Sequence, residues 1–296
     1  MMEDSIWKVN GKPIMIRGVN SNEWHPKKGR TLDRAFLEED LKLMKRFNFN
    51  AVRCSHYPRD KRFYELCSEL GLWVMDEANL ESHEMWEVRN DPLTTKPEWK
   101  AAMVARADAV INADYNYPCV ISWSLGNEVG IGDNIYAMEQ VVRETEAKFN
   151  KLPRPVHYES RDYSKDPIAF FDIISNMYED IDKMVGFTKE GRPLVYCEYA
   201  HAMGNSSGNY WKFWDAFRAY PNFQGGFIWD WADQGIERPV AGQEGKTYFA
   251  YGGDFGETPH DANFVINGLV DPDRDPHPGA YEVKNGQAPL VISLVR

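Results

Sequence analysis

"AVRCSHYPRDKRFYELCSELGLWVMDEAN", residues 51–79, contains one complete structural unit. AVRCSHY (51–57) and LWVMDEAN (72–79) are nearly continuous apolar runs until polar residues appear toward their C-terminal ends, as expected of strands buried on both faces. DKRFYELCSEL (60–70), between them, reads as an amphipathic helix. Strand, helix and strand in immediate succession form the unit of a parallel sheet covered by helices.

The unit recurs in both directions. Upstream lie PIMIRGVN (13–20) and a helical TLDRAFLEEDLKLMKRFN (31–48). Downstream come a helix over EWKAAMVARADAVINAD (98–114), the strand CVISWSLGNE (119–128), a helix over NIYAMEQVVRETEAKFN (134–150), and the strands VHYES (156–160), DIISNMY (172–178) and PLVYCEYA (193–200). A helix around NYWKFWDAFRAY (209–220) and the strand FQGGFIWDWAD (223–233) complete the series. Eight strand candidates separated mostly by helices predict an α/β fold, a single (β/α)8 TIM barrel. An open doubly wound sheet would carry a glycine-rich phosphate loop after its first strand, and none is present.

Composition narrows the class. With 296 residues, 43% of them hydrophobic, the chain can bury a large core, and its formal net charge of -11 excludes nucleic-acid and anionic-membrane partners. The longest basic cluster, Lys27-Lys28-Gly29-Arg30, reads as a solvated loop. MMEDSIWKVN has early acids and no apolar signal core, and no stretch approaches a spanning helix, so a soluble protein is expected. Cys54, Cys67, Cys119 and Cys197 are widely spaced, with no C-x-x-C pair, which suits reduced, buried thiols in the cytoplasm. Ten tryptophans and 14% aromatic residues exceed what core packing needs and suggest stacking surfaces for sugar rings.

Polar groups cluster at the ends of successive strands: Asn20 and Glu23, Arg53 and His56, Asp76, Glu77 and Asn79, Asn127 and Glu128, Glu159, Asn176 and Tyr178, Glu198 and His201, and Trp229 to Asp233. In a parallel barrel these ends converge on one face, where the active site lies. Glu128 and Glu198, at the ends of the fourth and seventh strands, suggest glycoside hydrolysis. A retaining mechanism needs a nucleophile and an acid/base about 5–5.5 Å apart.

The blocks "IRGVN", "VRCSHYP", "DEANLESH", "WSLGNE" (123–128), "CEYAHAMGNS" (197–206), "QGGFIWDWAD" and "YGGDFGETP" recur in family order and resemble the catalytic barrel of glycoside hydrolase family 2, with "EYAHAMGNS" pointing to its β-galactosidases. The resemblance covers about residues 10 to 283. It implies that Glu198 is the nucleophile and Glu128 the acid/base, with Asn127 bonding the sugar 2-hydroxyl. It also implies that Arg53 and Tyr178 hold the nucleophile and that His56, His201 and Trp229 shape a galactose pocket for a small β-galactoside. Glu81, His83 and Glu128 match the ligands of a Mg²⁺ ion. Phe264 and Asn267 match residues that hold Na⁺ beside the sugar.

Two departures stand out. In "GVNSNEWHP" the family pattern is G-V-N-R-H-E-H-H-P, so Asn22 and Trp24 replace pocket histidines. Residues 285–296 form a divergent tail, and the family's N-terminal sandwich and C-terminal domains are not in these 296 residues, so the chain reads as an excised or minimal catalytic barrel. β-Glucuronidase, β-mannosidase and a weakly active carbohydrate-binding barrel are the alternatives, and a homo-oligomer is compatible with the sequence.

Overall fold

The computed structural model describes residues 2–159 and 171–292. Eight parallel strands form its centre: β1 (Ile16–Asn20), β2 (Ala51–Arg53), β3 (Trp73–Glu77), β4 (Val120–Ser124), β5 (Val156–His157), β6 (Ile174–Met177), β7 (Leu194–Tyr199) and β8 (Phe223–Ile228). They hydrogen-bond in the order β5-β4-β3-β2-β1-β8-β7-β6. Asp172 spans the gap between the two end strands, its N–H donating to Val156 O at 3.0 Å and its carboxylate accepting from Val156 N at 2.7 Å. The barrel is therefore nearly closed, as expected. Helices α1 (Arg34–Arg46), α2 (Lys61–Leu70), α3 (Lys100–Asp114), α4 (Asp133–Phe149), α5 (Ile181–Phe187), α6 (Tyr210–Ala219) and α7 (Pro278–Gly286) lie between or after the strands.

All eight strand candidates form, but shorter than the apolar runs imply. AVRCSHY pairs only over Ala51–Arg53, VHYES over Val156–His157 and FQGGFIWDWAD over Phe223–Ile228. Ser160 of VHYES lies outside the described residues. Of the polar residues that end these runs, Asn20, Arg53, Glu77 and Glu198 are the last or nearly the last residues of the ladder, whereas His56, Glu128, Glu159 and Trp229 to Asp233 lie beyond it in the loops of the C-terminal face. Local signals set the helix boundaries. The Asp33 carboxylate accepts from Phe36 N at 3.0 Å to cap α1, Asp60 accepts from Arg62 N at 2.9 Å to cap α2, and Gly71 ends α2 at φ 69°.

Alternation along the strands divides the core into two layers. Ile16, Ala51, Met75, Ile121, Val195 and Phe227 point into the barrel, whereas Val52, Val74, Val120 and Leu194 face the helices. The same period carries Arg53, two residues beyond Ala51, and Glu77, two beyond Met75, into the barrel mouth. β7 breaks this rule. Tyr196 and Tyr199, three residues apart, both pack in the helix layer. The ladder to β6 shifts register between Tyr196 and Glu198, and the ladder to β8 between Tyr196 and Tyr199. This irregularity turns Glu198 inward.

The opposite end of the barrel is plugged by a feature not read from the sequence. Met2–Glu3, Ile6–Val9 and Lys12–Pro13 form an antiparallel sheet that buries Trp7 completely, so Pro13 belongs to this plug and not to β1. Gln224 of β8 accepts from Trp7 N at 2.6 Å and donates to Trp7 O at 2.9 Å and Ile14 O at 2.6 Å. Its neighbour Gly225 has φ 92°, and a Cβ there would lie 2.0 Å from Ile16 O, so only glycine lets β8 approach β1. The first residues of the tail carry regular structure. α7 includes residues 285 and 286, and buried Gln287 donates to Phe47 O at 2.8 Å and accepts from the Tyr210 hydroxyl at 3.2 Å. Residues 285–287 are thus packed structure, and 293–296 lie outside the described residues.

Candidate active site

Arg53 is the centre of the C-terminal face. Register places Asn20 of β1 directly beside it, and its guanidinium is fully buried. Nε and Nη2 each lie 2.8 Å from Glu77 Oε2, Nη1 donates to Asn20 Oδ1 at 3.1 Å and Glu198 Oε1 at 2.9 Å, and Nη2 donates to Asn127 Oδ1 at 2.7 Å. All five N–H groups are engaged, by two carboxylates and two amides, which satisfies a cation that burial alone would heavily penalise. Asn20 is itself oriented from β7 and β8, its amide nitrogen donating to Cys197 O at 2.9 Å and Phe227 O at 3.2 Å.

Glu198 is held at both oxygens. Oε1 takes the Arg53 bond, and Oε2 accepts from the Tyr178 hydroxyl at 2.7 Å. Tyr178 reaches this position from φ 51°, with its backbone N–H on Glu198 O at 3.0 Å. Burial, then the neighbouring Glu198 carboxylate, pushes the Tyr178 phenol far above its ordinary range, so it stays a donor. His56 Nδ1 lies 2.7 Å from Glu77 Oε1, and its Nε2 is 3.8 Å from Glu198 Oε1. The His56 ring stacks on Trp229, with centroids 5.3 Å apart and planes at 10°.

Asn127 links the two glutamates. Its oxygen accepts from Arg53, its nitrogen donates to Glu81 Oε2 at 2.8 Å, and Glu128 follows it in the chain. Glu128 sits at φ 45°, a backbone region rarely occupied by residues with side chains, and its N–H donates to Glu159 Oε1 at 2.6 Å. Burial pushes the Glu159 carboxyl well above the ordinary carboxylate range. Glu128 Oε2 lies 2.5 Å from His83 Nδ1, and this bond raises the His83 pKa. Ligand atoms of Glu81, His83 and Glu128 all lie within 4.8 Å of one another. Two carboxylates and one imidazole, open to solvent, suit a hard cation that keeps several waters.

His201 is half-buried, its pKa lowered by desolvation, and packs against Tyr178 and Phe264 with ring centroids 5.7 and 5.8 Å away. Asn267 is buried. Its nitrogen donates to Phe264 O at 3.0 Å, and its Oδ1 has no partner among the described residues. Asn267 O accepts from Asp230 N at 3.1 Å, next to Trp229. The fully buried Asp230 carboxyl accepts from Gln234 Nε2 at 2.7 Å at one oxygen, and desolvation pushes it well above its usual range. The residues singled out by the family resemblance therefore gather on one face, but two of the strand-end polar groups do not: the Asp76 carboxylate turns to the helix layer and accepts from the Tyr64 hydroxyl of α2 at 2.7 Å, and Asn79 lines a cavity between α2 and α3 with Lys61 and Arg106. Glu77 and Asn20 read from the sequence only as strand-end polar residues, and Ser124 and His157 do not stand out in it at all, although each falls on an inward position.

The chain matches, over residues 1–292, the family model for glycosyl hydrolases family 2, TIM barrel domain. The chain belongs to this family. A beta-galactosidase of Vibrio cholerae serotype O1 is 47% identical over 301 residues, covering 97% of this chain and 28% of its own length. Beta-galactosidase 2 of Enterobacter cloacae is 44% identical over 308 residues, covering 99% of this chain and 29% of its own. The chain thus spans less than a third of these relatives. Among solved structures, a family 2 beta-galacturonidase from Eisenbergiella tayi bound to galacturonate superposes with TM-score 0.76 at 19% identity, covering 98% of this chain and 54% of that one. A Ruminococcus gnavus beta-glucuronidase superposes at 0.75 with 20% identity, covering 98% and 54%. At these identities the two structures establish the barrel fold of the family.

Proposed function

We propose that the chain is the catalytic barrel of a retaining β-galactosidase. The observation that carries this reading is the double clamp on Glu198, a carboxylate fixed by Arg53 at one oxygen and Tyr178 at the other. A nucleophile must be held in a near-attack position, and the clamp does this. In the first step Glu198 forms a bond to the anomeric carbon while Glu128 gives its proton to the glycosidic oxygen, and the aglycone leaves as an alcohol. In the second, Glu128 takes a proton from water, whose oxygen displaces Glu198 and releases the sugar with its configuration retained. Asn127, pinned between Arg53 and Glu81, would bond the 2-hydroxyl, and Trp229, with His56 stacked on it, would form an apolar floor under the sugar.

Galactose is preferred to glucuronic acid as substrate because the relatives at 44–47% identity are named beta-galactosidases, whereas the uronidases resemble the chain in fold. Glu81, His83 and Glu128 would hold Mg²⁺, which would supply positive charge and a fixed position beside the acid/base. Asn267 Oδ1, with Phe264 O, would receive Na⁺ near the sugar. Four free, buried thiols support a cytoplasmic protein, and among the described residues no helix is long and apolar enough to cross a membrane.

Incubation with an activated 2-fluoro-β-galactoside, followed by peptide mass spectrometry, tests the assignment. One label per chain on Glu198 is expected, and none in Glu198→Gln. A label on another residue, or turnover of aryl β-glucuronides in preference to aryl β-galactosides, refutes the proposal.

A further inference from the structure

Behind Arg53 lies a buried polar chain that the mechanism above does not use. Glu77, fully buried at the end of β3, receives four contacts on two oxygens. Oε2 faces Arg53 Nε and Nη2, both at 2.8 Å, and the Ser124 hydroxyl at 2.6 Å, while Oε1 faces His56 Nδ1 at 2.7 Å. Burial opposes the charge on this carboxylate, but Arg53, His56 and Ser124 outweigh it and bring its pKa down to about 2. Glu77 is therefore an acceptor at every contact. His56 must carry its proton on Nδ1, which leaves Nε2 as the atom turned toward Glu198.

The direction of the next bonds follows. Ser124 has one hydroxyl proton and gives it to Glu77, so its oxygen can only accept from His157 Nδ1, 2.9 Å away. His157 is then the Nδ1–H tautomer. Its Nε2 is buried with no partner among the described residues, and burial pushes its pKa down to about 3, so the ring is neutral. The donors run in one sense, His157 to Ser124 to Glu77, and the chain ends on the carboxylate that holds both Arg53 and His56. The residues come from β5, β4 and β3, so the arrangement spans three neighbouring strands.

We propose that Glu77 is a positioning residue for the reaction: held from behind by Ser124 and His157, its carboxylate sets the Arg53 guanidinium and the His56 imidazole, and through Arg53 the attack geometry of Glu198. This rests on the reading of Glu198 as nucleophile. Glu77 itself is screened from the sugar by Arg53 and His56. An amide replaces it poorly: Glu77→Gln removes the negative charge that faces Arg53. Turned toward Arg53 and Ser124 its NH₂ opposes donors, and turned toward His56 it is accepted only if the imidazole moves its proton from Nδ1 to Nε2, the atom turned toward Glu198.

The test measures both the rate and the final stoichiometry of covalent labelling by the 2-fluoro-β-galactoside in the full chain, in Glu77→Gln and in Ser124→Ala, beside a thermal melt. Displacing a reacting group by about 1 Å can cost roughly 100-fold, so Glu77→Gln should label at least about 10-fold more slowly while still reaching one label per chain. Ser124→Ala keeps the charge and loosens only the rear contact, so it should slow labelling by about 3-fold with full stoichiometry. A purely structural role would instead lower the labelled fraction and leave its rate constant unchanged, and that result overturns the proposal. An unchanged rate in Glu77→Gln also overturns it. If Glu77→Gln does not melt cooperatively, Ser124→Ala decides by the same criteria. Failure of the unaltered chain to label Glu198 would sink the nucleophile assignment and this inference with it, whereas normal labelling of the unaltered chain with no effect in the variants would sink the inference alone.

Discussion

Replacing Arg53 with methionine keeps most of the side-chain volume and removes the charge that reconciles Glu77 and Glu198 with their burial. Removing one partner of a buried ion pair costs about 3–5 kcal/mol, a large part of the stability of a typical domain, about 5–15 kcal/mol. Part of this loss has a pH signature that can be worked out. The Glu77 carboxyl falls from about 4.3 in an unfolded chain to about 2 in the folded protein. The shift contributes about 3 kcal/mol of stability above the unfolded value, and this is lost as pH falls through the folded one. At pH 3 about 2 kcal/mol of it is already gone. In Arg53→Met the burial of Glu77 acts with its main opposing charge removed, so the carboxyl binds a proton at higher pH and the folded variant gains on acidification. The stability difference between the two proteins should therefore be about 3–5 kcal/mol at pH 7 and smaller by about 2 kcal/mol or more at pH 3. Urea titrations followed by tryptophan fluorescence at both pH values measure it. A difference below about 1 kcal/mol at pH 7, or one that does not change with pH, would refute the claim that Arg53 is the counter-ion of a buried, ionised Glu77.

The remaining expectations concern Glu128. Because an acid matters most when the leaving group is poor, Glu128→Ala should slow hydrolysis of lactose by at least about 100-fold but that of an activated nitrophenyl galactoside far less, with azide restoring turnover as β-galactosyl azide. Equal losses on both substrates would point to a structural role. Chelation of divalent ions should lower turnover and Mg²⁺ should restore it, and calorimetric titration should find Mg²⁺ binding that weakens by about 10-fold or more in His83→Ala. Undiminished Mg²⁺ affinity in that variant would remove His83 from the ligand set.

Much of this architecture can be read from the chain because strands buried on both faces must be apolar throughout. AVRC, WVMD, VISW and LVYC are visible for that reason, and the polar residues that interrupt each run mark the barrel mouth where Arg53, Glu128 and Glu198 meet. Helices with strong local signals, such as α2 between Asp60 and Gly71, are legible in the same way. The short α5, α7 and the plug around Trp7 are not, since a few residues of weak periodicity acquire structure only from the surface they cover. The apolar runs overstate strand length because a run of residues records burial, whereas the ladder stops where the backbone bends to aim Glu128 at φ 45° or Tyr178 at φ 51°. The identity of both glutamates is thus a property of the sequence. Their setting is a property of the closed barrel. Glu198 faces inward because β7 shifts register against both neighbours, and Arg53 can be buried because Glu77, Asn20, Asn127 and Glu198 arrive from four other strands or their ends. Hydrogen bonds between residues up to 145 positions apart leave no local pattern. They exist only once eight strands bring their ends to one face.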